Sequence, residues 1–477
     1  MRLLQRSDTG EFSLTKKFAC DEAIPPYAIL SHTWGVDTEE VTFDDLMNGT
    51  GKNKPGYKKI RLCGEQARQD DLQYFWIDTC CIDKANKAEL SLAINSMFRW
   101  YRNAARCYVY LSDVSSPSSS SSESNPQQLE PHFGKSKWFT RGWTLQELLA
   151  PTSLEFFSQE WKRLGDRISL NQYINEATGI PDSALQGVLL SQFSDKDRFF
   201  WMEHRQTKVE EDKVYALLGI FDVSIHLNYG EGQKRALERL QKEIDRVKRC
   251  IQDLRLTDPY DDKKRIEDAK GGLLTDSYYW ILENPDFQQW RNDQQSGLLW
   301  IKGDPGKGKT MLLCGIINEL AKSTAKINLL SYFFCQATDS RINTATAVLR
   351  GLLYLLVNQQ PSLISHVSKK YDNAGKTLFE DTNAWVALSE IFTSLLRDPN
   401  LNSTYFIVDA LDECVVGLPK LLDFIARKSS IYPHIKWVVS SRNWPSIGRG
   451  LYYTEQKARL CLELNEASIS TAVATYI

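Results

Sequence analysis

Leu298-Leu-Trp-Ile-Lys-Gly-Asp-Pro-Gly-Lys-Gly-Lys-Thr-Met-Leu-Leu313 is the stretch around which the chain is organised. Leu298 to Ile301 is a short apolar run, the pattern of a buried strand. Gly303 opens a loop that closes on Gly308, Lys309 and Thr310, and an apolar run of helical spacing follows. Gly303, Asp304, Pro305, Gly306, Lys307, Gly308, Lys309 and Thr310 spell Gly-x-x-x-x-Gly-Lys-Thr between strand and helix, the context in which this motif cradles a phosphate chain. The glycines let backbone N–H groups turn inward around an anion, and the helix N-terminus adds roughly half a positive charge. Lys309 is expected to reach the β- and γ-phosphates, and the Thr310 hydroxyl to sit on Mg²⁺.

A second motif supports the first. Four apolar runs, Leu298–Ile301, Leu329–Phe334, Tyr405–Val408 and Lys436–Val439, alternate with helical stretches, which implies a parallel α/β sheet. The third run ends as Phe406-Ile-Val-Asp-Ala-Leu-Asp-Glu413. Asp409, at the strand end, is placed to hold Mg²⁺, while Asp412 and Glu413 follow where they can polarise an attacking water. The fourth run ends in Ser440-Ser-Arg-Asn443, which puts Arg442 where it can sense a γ-phosphate.

Composition narrows the rest. With 477 residues, two to four domains are expected. The formal net charge of −2 gives no overall basic character for nucleic acid. No apolar run approaches the ~18–20 residues of a membrane span, and the N-terminus lacks a signal-peptide layout. The ten cysteines are scattered and the six histidines sit at no metal-ligand spacing with them, so a disulfide framework or zinc site is not expected, and the compartment is expected to be the reducing cytoplasm.

The first half also alternates strand and helix. Tyr27–His32, Tyr74–Asp78, Cys107–Leu111 and Leu154–Phe157 read as strands of a mostly parallel sheet. Ligands of such sheets gather at the strand carboxyl ends, which places Ser31, His32, Asp78, Asp83 and Asp113 along one rim. Glu147, on the helix before the fourth strand, is expected to reach the same rim. Residues 115–128, rich in serine and proline, are too polar to bury and are expected to be a disordered insertion.

Several strings here are recognisable. Ala28-Ile-Leu-Ser-His-Thr-Trp-Gly35, Trp76-Ile-Asp-Thr-Cys-Cys-Ile-Asp83 and Arg141-Gly-Trp-Thr-Leu-Gln-Glu-Leu-Leu-Ala-Pro151 resemble the three signature blocks of the fungal heterokaryon-incompatibility (HET) domain. Glu211-Asp-Lys-Val-Tyr-Ala-Leu-Leu-Gly219 and Asn228-Tyr-Gly-Glu-Gly232 resemble that family's downstream segments. The resemblance implies a regulated cell-death effector. It also implies a TIR-like, flavodoxin-like fold, since the HET domain is similar to the TIR domain. Some TIR domains cleave NAD⁺ with a helix-borne glutamate in a Trp-Cys-x-x-Glu-Leu string. Trp143-Thr-Leu-Gln-Glu147-Leu148 has that spacing, with Thr144 in the cysteine's place. Glu147 is thereby implied to stabilise the oxocarbenium ion that forms as nicotinamide leaves the ribose. The competing view is that the HET domain kills by recruiting partners, with Glu147 held for structure.

Asp409-Ala-Leu-Asp-Glu413 together with the Gly303 loop resembles the NACHT class of signal-transducing P-loop NTPases. In that class the nucleotide toggles a closed monomer and an open oligomer. The order HET then NACHT is similar to fungal vegetative incompatibility proteins, which continue into WD repeats; the chain is expected to lack these and to stop at Ile477 inside a helix (466–477). The expected layout is a HET domain over 1–250, a charged helical linker over 251–288 and a NACHT domain, incomplete at its C-terminus, over 289–477. The expected function is an ATP- or GTP-controlled death switch with Mg²⁺, self-associating on activation, with NAD⁺ as a HET substrate and an incompatibility partner of unknown identity. The alternative is a plain NTPase motor or remodelling enzyme with the N-terminal half as an adaptor.

Overall fold

The computed structural model describes residues 1–6, 10–18, 24–116, 130–274, 276–293, 297–324, 329–398, 401, 403–451 and 459–464. Most of the serine-rich insertion expected at 115–128, and the helix expected at 466–477, lie outside these residues. The chain divides into two compact units, Met1–Asp245 and Arg246–Ile477.

Unit 1 is built on a seven-stranded mixed sheet. Its strands are β1 (Leu4–Arg6), β2 (Phe12–Leu14), β3 (Tyr27–His32), β4 (Tyr74–Trp76), β5 (Arg106–Tyr110), β6 (Leu154–Phe157) and β7 (Arg163–Asp166). They lie in the order β2-β1-β4-β3-β5-β6-β7. The inner four, β4-β3-β5-β6, are parallel. β1, β2 and β7 add antiparallel edges, which the expectation of a mostly parallel sheet did not include. Each of these three is only three or four residues long, too short to show a period of two. Every residue of β3 is buried, as its near-continuous apolar run demands of a strand covered on both faces. The helix Lys87–Asn103 begins where the Asn86 side chain accepts from the Glu89 N–H. It lays Trp100 and Tyr101 edge-on against Trp76, at ring separations of 5.6 and 5.9 Å.

Unit 2 carries a wholly parallel five-stranded sheet. Its strands are β8 (Leu298–Gly303), β9 (Leu329–Phe334), β10 (Thr404–Asp409), β11 (Ile435–Ser441) and β12 (Arg459–Leu464), in the order β12-β8-β11-β10-β9. Four of these match the expected runs; β12 is additional. Phe406 and Trp437 stack across β10 and β11 at 4.6 Å.

The helix Gln233–Leu254 contributes Ala236, Leu240 and Ile244 to the core of unit 1, and Cys250 and Leu254 to that of unit 2. The segment expected as a charged linker, 251–288, is helical over Pro259–Ala269 and Asp276–Glu283 and buries Tyr278, Ile281 and Phe287 in the unit 2 core. No described helix is long and apolar enough to cross a membrane.

Candidate functional site

In unit 2 the loop between β8 and the helix Lys309–Thr324 has the backbone that its sequence requires. Gly306 and Gly308 adopt φ of +80° and +78°, a region that residues with a Cβ rarely enter. Gly303 sits tight against β12; a Cβ there would lie 3.1 Å from that of Leu464. The Lys309 ammonium folds back to donate to the carbonyls of Gly303 (2.7 Å) and Asp304 (2.9 Å). Partial burial pulls its pKa down, and the nearby Asp412 and Asp409 carboxylates oppose this.

Asp409 closes β10 at 3% exposure. Its carboxylate accepts from the Ser440 hydroxyl on β11 and from the Thr310 side chain, the second residue of the helix Lys309–Thr324. Burial raises its pKa, and these two hydroxyls work against the rise. Ala410 then takes φ of +57°, unusual for a residue with a side chain, and donates its N–H to the Ser440 oxygen at 2.9 Å. This turn carries the chain to Asp412 and Glu413. Asp412 accepts from the Arg442 N–H (3.0 Å) and pairs with the Arg442 guanidinium (3.0 Å). Glu413 accepts from the Ala337 N–H at 3.0 Å. Thr310 and Asp409 offer hard oxygens suited to Mg²⁺, which ordinarily completes its shell with phosphate and water. Among the described residues no group of three His, Cys, Asp or Glu forms an all-protein metal cage.

In unit 1 the five rim residues divide. Asp113, beyond β5, accepts from the Ser136 hydroxyl (2.7 Å) and the Lys137 N–H (2.8 Å). Asp83 accepts from the N–H groups of Ala85 (3.1 Å) and Asn86 (3.3 Å). Both carboxylates thus shape the chain around them. Ser31, by contrast, meets Glu147. Its hydroxyl donates to the Glu147 carboxyl, and the Trp138 indole donates to the Ser31 oxygen at 2.8 Å. Glu147 is 6% exposed on the short helix Thr144–Leu149. Burial and the Asp78 charge push its pKa up to about 8, against the pull of Ser31, Tyr101 and Arg205.

His32 points Nδ1 toward Asp78 at 3.8 Å, too far for a hydrogen bond. Burial, with Lys59 and Lys84 nearby, keeps the imidazole well below its usual range, so the pair is a neutral ring beside a carboxyl. Asp78 opens the helix Asp78–Cys81 and accepts from the Trp34 indole at 2.7 Å. Its pKa is raised by burial.

Arg205 is the site residue that sequence reasoning missed. Its buried guanidinium donates to the Arg141 carbonyl (2.9 Å), the Thr144 hydroxyl (2.8 Å) and the Trp201 carbonyl (3.2 Å). Its Nη2 is buried with no hydrogen-bond partner among the described residues. Burial pushes the pKa down to about 9, against the charge of Glu147. A lone arginine between helical segments carries no sequence pattern that announces this position.

These two sites fall in regions with known relatives. Residues 27–133 match the family described as heterokaryon incompatibility protein (HET), and residues 276–442 match nephrocystin 3, N-terminal. Along the chain the match to the HET family thus precedes the match to nephrocystin 3, N-terminal. Along its whole length it is 61% identical to vegetative incompatibility protein HET-E-1 of Podospora anserina. It spans 35% of that protein's length. A solved structure of Drosophila ORC bound to DNA matches 48% of this chain and 50% of that one, at 15% identity and a TM-score of 0.25. A likeness that low carries no argument about fold or function.

Proposed function

We propose that the chain is the switch and effector portion of a nucleotide-regulated incompatibility protein. The observation that carries this reading is that Asp409, at the end of β10, meets the neighbouring Lys309 and Thr310, which lie far earlier in the chain. On this reading unit 2 is a P-loop NTPase of the NACHT class. The parallel order β12-β8-β11-β10-β9, with the loop-bearing strand inside the sheet, supports it. ATP or GTP displaces the Lys309 ammonium from the Gly303 and Asp304 carbonyls, and Thr310 and Asp409 hold Mg²⁺. The metal neutralises phosphate charge when bound. Asp412 and Glu413 orient the attacking water and Arg442 senses the γ-phosphate, so slow hydrolysis resets the switch. Triphosphate binding favours self-association and brings effector units together in the cytoplasm, where they act on an incompatibility partner.

Unit 1 is read as a TIR-like effector. Its parallel strands follow the chain order 2-1-3-4 found in flavodoxin-like sheets, and Ser31 is the last residue but one of the strand at which that order reverses. Glu147 is proposed to act on NAD⁺. A cationic nicotinamide brought beside this carboxyl favours its ionised form, and the carboxylate then stabilises the developing oxocarbenium ion. The C–N bond breaks, nicotinamide leaves with the electron pair, and water adds to the ribose with loss of a proton.

The test is a titration of the intact chain and its Lys309→Ala variant with Mg²⁺–ATP and Mg²⁺–GTP, reading molecular mass and NAD⁺ together. The expected result is nucleotide-dependent growth in mass that Lys309→Ala abolishes, with NAD⁺ loss that Glu147→Ala abolishes. Indifference to every purine nucleotide overturns the switch. Rapid turnover at constant mass supports the motor reading instead. Growth in mass with undiminished NAD⁺ removes the enzyme reading and leaves recruitment.

A further inference from the structure

Unit 2 holds a second opening, none of whose lining residues belongs to the phosphate loop. It is a cleft of about 600 Å³ walled by the helices Ala384–Leu396 and Leu418–Ile431. That volume is in the range that takes a small molecule. Trp385, packed edge-on against Phe424 at 6.0 Å, lines one side.

The charge in this cleft is unbalanced. Arg397, Lys420, Arg427 and Lys428 all line it, with only two carboxylates, Glu390 and Asp423. Asp423 is taken by Arg427 at 2.8 Å, and Glu390 by Lys370. Arg397, Lys420 and Lys428 have no carboxylate partner among the described residues. The Arg397 guanidinium donates to the Tyr432 hydroxyl at 3.3 Å, and the Lys428 ammonium lies 5.3 Å from the centre of the Phe424 ring. Burial first, and then the nearby Arg397 and Arg427 charges, push the Lys428 ammonium below its ordinary range. A hydroxyl is held at the same cleft. Ser394 is bonded to His366 Nδ1 at 2.9 Å, and His366 Nε2 meets the Asp398 carboxylate at 2.6 Å. Like charges gathered around a concave surface are relieved by a bound anion.

We propose that this cleft is a second ligand site of unit 2, for a phosphorylated small molecule whose phosphate sits among Arg397, Lys420 and Lys428. Trp385 flanks the organic part and Ser394 adds a fixed hydroxyl. Such a site gives the switch an input separate from the triphosphate on the Gly303 loop.

The experiment uses the intact chain carrying Lys309→Ala, so that the phosphate loop is disabled and failure of the nucleotide reading does not affect the outcome. Calorimetric titrations with inorganic tripolyphosphate and with adenosine monophosphate at low salt are expected to show saturable binding of at least one probe. The combined Arg397→Gln and Lys428→Gln substitutions are expected to weaken it about tenfold or more, since two charge-assisted contacts are lost. Exposed Lys420→Gln, which leaves the core untouched, is expected to weaken it about threefold. No saturable binding of either probe overturns the proposal, as does equal affinity in the Arg397→Gln/Lys428→Gln variant.

Discussion

The Ser440 hydroxyl, on β11, donates to the Asp409 carboxylate at the end of neighbouring β10, and its oxygen also accepts the Ala410 N–H. One small side chain therefore fixes both the carboxylate and the unusual turn that follows it. Ser440→Ala leaves a buried carboxylate and a backbone N–H short of a partner. The expected cost is about 1–3 kcal/mol in unit 2, read by urea unfolding. Asp409 also loses a donor to its charged form, so its pKa is expected to rise further.

Glu147 gives a pH signature. In the folded chain it holds its proton up to about pH 8, whereas its ordinary value is 4.5. The folded state thus gains from this group below pH 4.5 and loses that gain as pH rises to 8. Glu147→Gln does not titrate. Its stability relative to the parent is expected to climb between pH 5 and pH 8, by up to about 1.4 kcal/mol per unit, and then to level off. A flat difference across that window, in paired urea titrations, contradicts it.

Ser31→Ala cuts the row from the Trp138 indole through Ser31 to Glu147. It strands a buried indole N–H and removes a donor to the carboxyl. A loss of about 1–3 kcal/mol in unit 1 is expected by thermal or urea unfolding, with the Glu147 titration displaced upward.

Gly315 lies on the phosphate-loop helix directly beneath Tyr278, and a Cβ there would come within 2.1 Å of the tyrosine ring. Tyr278 also donates to Glu319 on the same helix at 3.1 Å. Gly315→Ala is expected to cost about 1–3 kcal/mol or more through overpacking. Adding Tyr278→Ala removes the clash, so the double variant is expected to lose clearly less than the sum of the singles.

Much of both sheets was legible because buried parallel strands read as largely apolar runs; Leu154–Phe157, broken by Glu155, and Leu329–Phe334, broken by Ser331, are found where those runs stand. β12 was not, although Leu460, Leu462 and Leu464 recur at every second position as in an edge strand; six residues make a faint signal. The rim was half legible. A strand end says where Ser31, Asp83 and Asp113 fall in the topology, but not that Asp83 and Asp113 turn to nearby N–H and hydroxyl groups while Ser31 turns to Glu147. Tyr101 is buried on the helix Lys87–Asn103, and its hydroxyl donates to the Leu30 carbonyl while the same side chain bonds to Glu147. Side-chain direction at the ends of elements depends on packing that no single-residue pattern encodes.

β8 pairs with β11 on one side and β12 on the other. A ribosome therefore releases the loop-bearing strand long before either flank has been made. Until Ile435–Ser441 and Arg459–Leu464 leave the exit tunnel, the nascent Gly303 segment has no neighbour to bond. A polypeptide that has not yet reached Ile435 thus carries the motif without the two strands that flank it.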